Sequence, residues 1–249
     1  MTDTTVGDAT TAPVLTELAD GVLVLRINRP SRRNAMNNDA LRAISAALDQ
    51  VERDGIRAMI FRGEGGTFCA GSDLKEMKQG LEYRREHTTL GQHVWRRIEH
   101  SPAFTIALIE GYALGGGSEL ALACDVRLAH ADSVLGFPEV TFGAVPSWGG
   151  TQRLPRYVGL GTAKRMLLTG ERIPARELVH TGLVDGVYDT VDELEAAARE
   201  LAERVAAYPA GPFALVKELV LTSYDVTTPI GNFMEYLVDI ASEAEGEHL

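Results

Sequence analysis

Ala113-Leu-Gly-Gly-Gly-Ser-Glu-Leu120 decides how the rest of the chain is read. Ahead of it, the apolar run Phe-Thr-Ile-Ala-Leu-Ile at 104–109 predicts a buried strand that Gly111 breaks. Behind it, Glu119-Leu-Ala-Leu-Ala123 is strongly helix-forming. A strand, then glycines, then a helix leaves the N–H groups of a helix start open to a ligand, with no side chains in the way. Glu119 adds a carboxylate in the first turn, beside those donors. Its plainer reading is a solvated glutamate that offsets the helix dipole. Three consecutive glycines are costly for a mere connector, which favours a site.

Upstream of this stretch, residues 22–27 predict a strand bounded by Gly21 and Pro30. A basic loop, Arg29-Pro-Ser-Arg-Arg-Asn34, follows and reads equally as a solvated turn. Leu41, Ile44, Leu48 and Val51 recur at helical spacing, with Asn37, Asn38 or Asp39 as cap and Gly55 as stop. Residues 58–61 predict a second short strand. A second glycine-rich turn, 63–72, follows it and runs into Asp73-Leu-Lys75. It contains neither GxGxxG nor GxxxxGK[ST], so dinucleotide and P-loop readings lose their specific support. Residues 81–100 predict a charged surface helix with Leu90, Val94 and Ile98 on one side. His87, His93 and His100, spaced by six and seven, read as surface or helix-end histidines, because a metal pair on one face wants three or four.

Downstream, residues 125–129 and 133–136 predict short extended pieces. Phe137-Pro-Glu139 supplies a second carboxylate, which on its own reads equally as an exposed glutamate after a turn proline. After a further glycine-rich connector at 143–153 the pattern is helical almost throughout, with candidates at 161–169, 174–180, 191–207, 212–223 and 228–242. The chain divides into a polar tail at 1–13, an α/β core with parallel strands at 14–190, and a helical section at 191–249. In such folds ligands gather at the carboxyl ends of strands, where both glycine-rich turns fall.

The 249 residues carry 24 Lys and Arg against 35 Asp and Glu, a net charge of −11. That disfavours nucleic acid as the main partner, since phosphate affinity needs a basic face. No segment reaches the roughly 18 apolar residues of a membrane span. Residues 1–13 resemble neither a secretory signal nor a transit peptide. Two cysteines, Cys69 and Cys124, form neither a disulfide framework nor a zinc spacing, so a cytoplasmic setting is expected.

Two N–H groups converging on one carbonyl oxygen stabilise the charge of an enolate or tetrahedral adduct by roughly 3–4 kcal/mol per donor. A serine nucleophile at Ser118 lacks the second glycine of GxSxG and an evident histidine partner. Two carboxylates, Glu119 and Glu139, point instead to proton transfers next to a carbonyl, because neighbouring carboxylates drive their pKa values apart.

Ala70-Gly-Ser-Asp-Leu-Lys75, the run from Gly111 to Asp125, Phe137-Pro-Glu139 and Gly149-Gly-Thr-Gln-Arg-Leu154 resemble, in order, the signature blocks of the crotonase superfamily. Among its members they most resemble the enoyl-CoA hydratases. Leu168-Thr-Gly-Glu-Arg-Ile-Pro-Ala-Arg-Glu-Leu178 and Gly182-Leu-Val-Asp185 extend the similarity. The resemblance implies an α/β spiral of repeated ββα units, closed by a helical C-terminal section that builds a homotrimer or a dimer of trimers. It implies an acyl-CoA substrate whose thioester oxygen meets the N–H groups of Ser72 and Gly116, beside Gly115. The coenzyme A moiety would run along Ala70, Gly71, Asp73, Leu74 and Lys75, with Arg29 and Arg32 adding charge. Glu119 would deprotonate water, Glu139 would protonate the α-carbon, and no metal or redox cofactor would be needed.

Two departures bear on the substrate. Ser147-Trp148 stands where many relatives carry small residues, so Trp148 is expected either to narrow the acyl pocket or simply to pack. Hydratases often continue past the equivalent of Glu245-Gly246 with a basic helix, so part of the usual pocket is expected to be missing or supplied differently. The rival readings are an enoyl-CoA isomerase, which relies chiefly on the Glu139 position, and another acyl-CoA reaction of the superfamily (hydrolysis, decarboxylation or retro-aldol cleavage). A catalytically silent assembly or RNA-binding subunit is the non-enzyme alternative.

Overall fold

The computed structural model describes residues 12–244. The N-terminal tail up to residue 11, and residues 245–249 on which the expectation of a curtailed pocket rests, lie outside the described residues. The chain enters through a hairpin, β1 (Val14–Ala19) and β2 (Val22–Ile27), paired antiparallel. Its turn is Asp20-Gly21, both at positive φ (52° and 76°), the backbone twist that suits a two-residue hairpin. β2 then begins a parallel series with β3 (Ala58–Gly63), β4 (Phe104–Ile109), β6 (Val126–His130) and β9 (Gly186–Tyr188). The resulting sheet runs β1-β2-β3-β4-β6-β9.

A second, three-stranded sheet stands beside it: β5 (Tyr112–Leu114) parallel to β7 (Val134–Gly136), and β7 antiparallel to β8 (Arg172–Pro174). In two turns of the chain one strand joins the large sheet, the next joins the small sheet, and a helix follows. β4, β5 and α3 (Gly116–Ala123) make one such unit; β6, β7 and α4 (Gly150–Thr169) make the next. This is the expected spiral of ββα units.

The helices follow from their patterns. In α1 (Asn38–Asp54) the spaced apolar residues are buried, the Asn37 side chain caps the Ala40 N–H, and Gly55 ends the helix at φ 63°. α1, α2 (Leu81–Glu99) and α3 cover one face of the large sheet, with Leu25, Phe61, Val94, Trp95 and Leu120 in a common core. The opposite face is covered by α6 (Val191–Ala206), which starts with a Thr190–Glu193 capping box and buries Leu194, Ala198 and Ala202 against β2, β3 and β4. α7 (Ala210–Thr222) and α8 (Thr228–Ala244) complete the described chain, after the short α5 (Ala175–Leu178).

Two expectations need correction. The helix expected at 161–169 begins at Gly150, eleven residues earlier than glycines and Pro155 suggested, and is broken inside by Gly159 at φ 74°, ψ 161°. His87 is not a surface residue. It is 1% exposed, donates its Nδ1–H to Asn38 Oδ1 at 2.8 Å, and stacks on Tyr83. Burial holds it down to about 4, so it is a neutral core histidine at ordinary pH.

Candidate active site

The site forms where the two glycine-rich turns meet. Met36 and Ser72 share an isolated parallel bridge in which Met36 N–H donates to Gly71 O and Asp73 N–H donates to Met36 O. In that pattern the Ser72 N–H points away from residue 36. Cys69 pairs with Ala113 in a second bridge, which brings the 69–72 turn against the start of α3. A β-carbon on Gly71 (φ 94°) would lie 2.7 Å from Leu114 O and 3.3 Å from Gly116 N, so this turn and the helix start are in direct backbone contact. The Gly116 N–H is the first of α3, where no intrahelical acceptor exists. Neither the Ser72 nor the Gly116 N–H donates to an acceptor among the described residues. Two unpaired donors therefore lie on adjoining backbone segments at the start of α3.

All eight residues of α3 are buried, Glu119 at 2% exposure included. Glu119 Oε1 accepts the N–H groups of Trp148 and Gly150, each at 2.8 Å, while Oε2 makes no hydrogen bond to the described residues. Burial pushes its pKa up to about 7, against the pull of those two N–H groups; the charge on Glu139 adds to the rise. Glu139 sits in a 3₁₀ turn, Pro138–Phe142, that projects the side chain over the glycines. A β-carbon on Gly115 would lie 2.7 Å from Glu139 Oε1, and Gly115 also holds φ 53°, ψ −120°. That backbone demands glycine, and any side chain there would also push the Glu139 carboxylate aside. Burial raises the Glu139 pKa as well, and its Oε2 is buried without a hydrogen bond to the described protein. Two carboxyl groups, both biased toward holding a proton, flank the unpaired N–H donors.

Ser118 plays no chemical part in this arrangement. Its hydroxyl donates to Ala113 O at 2.6 Å and lies within hydrogen-bond distance of the Gly136 backbone, so it ties β5 to β7.

Outside the two turns, a cleft of about 350 Å³ is lined by Ser31, Arg32, Arg33, Ala35, Ala70, Ser72, Asp73, Leu74 and Lys75. Arg32, Arg33 and Lys75 are exposed and form no ion pair among the described residues. Arg29 is placed differently from the expectation that it adds charge beside Arg32. Its guanidinium bonds to Asp73 at 3.0 Å, to Glu76 at 3.2 Å and to the Ala35 carbonyl, an internal clamp under the cleft. Asp73 is likewise turned inward. Burial alone would raise its pKa, but Arg29 and the N–H groups of Lys75 and Glu76 hold it below the usual carboxylate range. The free cations of the cleft are thus Arg32, Lys75 and Arg33, a residue not singled out from the sequence beyond its basic loop.

The loop before α4 is fixed by Arg153, which is 9% exposed, donates to Trp148 O at 2.7 Å and forms a two-pronged pair with Glu99. Its role is not legible in a motif, since Glu99 lies on α2 and only folding brings the two together. No group of three or more His, Cys, Asp or Glu side chains among the described residues is arranged to hold a metal ion. No helix among them is long and apolar enough to cross a membrane.

Comparison with known proteins gives a consistent result. The Clostridium acetobutylicum protein named short-chain-enoyl-CoA hydratase is 40% identical over 195 residues, 77% of this chain and 74% of that protein. The crotonyl-CoA hydratase of Syntrophomonas wolfei is 41% identical over 195 residues, covering 77% and 75%. The crystal structure of an enoyl-CoA hydratase from Bacillus anthracis superposes with a TM-score of 0.86 at 36% identity, over 91% of this chain and 89% of that one. The sequence profile described as enoyl-CoA hydratase/isomerase matches residues 17–234, a span that includes both glycine-rich turns and both carboxylates. With the spiral of ββα units and its paired turns, this chain belongs to the enoyl-CoA hydratase/isomerase family.

Proposed function

We propose that the protein hydrates a 2-enoyl-CoA thioester to the 3-hydroxyacyl-CoA. The observation that carries this reading is two buried carboxyl groups beside two unpaired N–H donors. The thioester oxygen is held by the N–H groups of Ser72 and Gly116. Water bound to Glu119 Oε2 attacks the β-carbon as Glu119 takes its proton. The charge moves onto the thioester oxygen as an enolate, which the two donors stabilise. Glu139 then gives its proton to the α-carbon, and the proton left on Glu119 returns through solvent. One proton shared by the pair serves both directions: hydration starts with it on Glu139, and dehydration starts with it on Glu119. Acid, base and charge stabilisation all come from the chain, so the reaction calls for no metal or redox cofactor.

The anionic phosphates of coenzyme A fit the cleft that carries Arg32, Arg33 and Lys75. The exposed apolar residues of α7 and α8, Val216, Val220, Phe233, Tyr236 and Leu237 among them, fit a homotrimer or a dimer of trimers. Two free, buried cysteines suit the cytoplasm.

The test is an assay on crotonyl-CoA that follows loss of the near-ultraviolet absorption of the conjugated thioester, with Glu119→Gln and Glu139→Gln assayed separately. Hydration requires both side chains. An isomerase would largely survive loss of Glu119, and a flat trace on every enoyl-CoA tried would refute the hydratase reading.

A further inference from the structure

Trp148 lies in a connector, yet it is 2% exposed, and its indole fills the gap between α2 and α3. A β-carbon on Gly116 would lie 2.4 Å from Cζ3, and one on Gly91 would lie 2.1 Å from Cε2. Gly91 is in the interior of α2 and its φ is not positive, so its backbone does not demand glycine. A glycine there weakens the helix. The ring explains it, since any side chain at position 91 would occupy the same space. Trp95 meets the indole edge-on at 5.2 Å between centroids, and His87 stands at 4.9 Å. The residue is also pinned through its backbone: its N–H donates to Glu119 and its carbonyl accepts from Arg153. This ring cannot withdraw without disturbing the site.

Its position relative to the reaction follows from those contacts. Gly116 supplies one of the two donors to the thioester oxygen, and Glu119 works at the β-carbon. The indole abuts Gly116 from the α2 side, and the Trp148 backbone N–H donates to Glu119. We propose that Trp148, seated on Gly91, ends the acyl pocket and restricts the protein to short enoyl groups, of about the size of crotonyl. This inference rests on the acyl-thioester reading of the site, and it assigns Trp148 as the residue that sets chain length.

The experiment compares wild type with Trp148→Ala on crotonyl-CoA and 2-decenoyl-CoA, and measures inhibition by saturated butanoyl-CoA and decanoyl-CoA. A single methylene that does not fit changes kcat/KM by roughly 10- to 200-fold. The wild type is expected to prefer crotonyl-CoA by at least about 100-fold, and the variant to narrow that ratio at least about 10-fold by gaining on the longer substrate. Butanoyl-CoA should inhibit the wild type more strongly than decanoyl-CoA does. Equal inhibition by the two in wild type would overturn the proposal, as would an unchanged chain-length ratio in a folded Trp148→Ala. Should that variant not fold, the wild-type inhibition pattern decides alone. The saturated thioesters cannot be hydrated, so a short-chain preference in their binding with no turnover of any enoyl-CoA would sink the hydratase reading and leave the role of Trp148 standing.

Discussion

α3 and the pair α7–α8 are opposite solutions to the same requirement. α3 is short and enclosed: every one of its eight residues is buried, and its apolar side chains Leu120, Ala121, Leu122 and Ala123 pack within the chain. α7 is thirteen residues long and its one buried residue is Lys217, while its Val216 and Val220 and the Phe233, Tyr236 and Leu237 of α8 face outward. A helix that is apolar on its outer face has not finished burying its surface within one copy of the chain. On the function proposed above, the chemistry sits on the part of the molecule that is complete by itself, and assembly would fall to the part that is not.

The largest expected effect breaks the first region. Glu119→Gln keeps the shape of the side chain and removes the base, and it should lower kcat about 10²- to 10⁴-fold in the crotonyl-CoA assay, with Glu139→Gln falling in the same range. Next, Lys217 ties α7 to the core, alongside the packing of Phe213 on Phe104. Its ammonium reaches Asp125 at 2.8 Å and Ala103 O at 3.1 Å, and Asp125 also holds Thr105. Lys217→Met strands that carboxylate and should cost about 3–5 kcal/mol in urea unfolding.

A third test sharpens the electrostatic side of the comparison. Glu119 is held at about 7 from an ordinary 4.5. Below the unfolded value both states are protonated and its burial carries no ionisation penalty. Above it the unfolded chain ionises first, so stability falls with rising pH until about 7 and then levels. The difference between the stability curves of wild type and Glu119→Gln should change by about 3 kcal/mol across that window. On the second region, Phe233→Glu should shift the sedimentation coefficient toward that of a single chain. The smallest effect expected is at the cleft, where Lys75→Ala should raise KM about threefold to fivefold, and less so at high salt.

How much of this was legible depends on whether the cause was local. Gly115 needs positive φ and Asn37 caps its own helix, and both signals sit within a few residues of the structure they specify. The strands of the large sheet announced themselves as apolar runs, because a parallel sheet covered on both sides buries nearly every residue. Residues whose role is set by a distant partner were harder. Arg29 looked like one of a basic cluster, and only the fold brings Asp73 and Glu76 to it. The spacing of His87 from His93 and His100 points to the surface, although His87 shares a stripe with Gly91, Val94 and Ile98 at helical spacing; that stripe is the available signal. The early start of α4 was hidden by Gly149, Gly150 and Pro155, residues that weaken a helix in isolation. In the fold the Gly150 N–H is taken up by Glu119 of α3, and Arg153, within α4 itself, ties down the preceding Trp148 carbonyl.

The two hydrogen bonds that reach Glu119 Oε1 from Trp148 and Gly150 have a consequence for how such a protein can change over generations. On the proposed function, the atom that anchors Trp148 belongs to the side chain that handles water. A mutation that discards the carboxylate for a small residue loses reactivity and loosens selectivity in a single step. Glutamine, by contrast, presents the same oxygen to both N–H groups and leaves the wall in place. Descendants that abandon hydration therefore have one inexpensive first step open to them, a single-residue exchange to an amide that preserves the pocket while its chemistry is rebuilt.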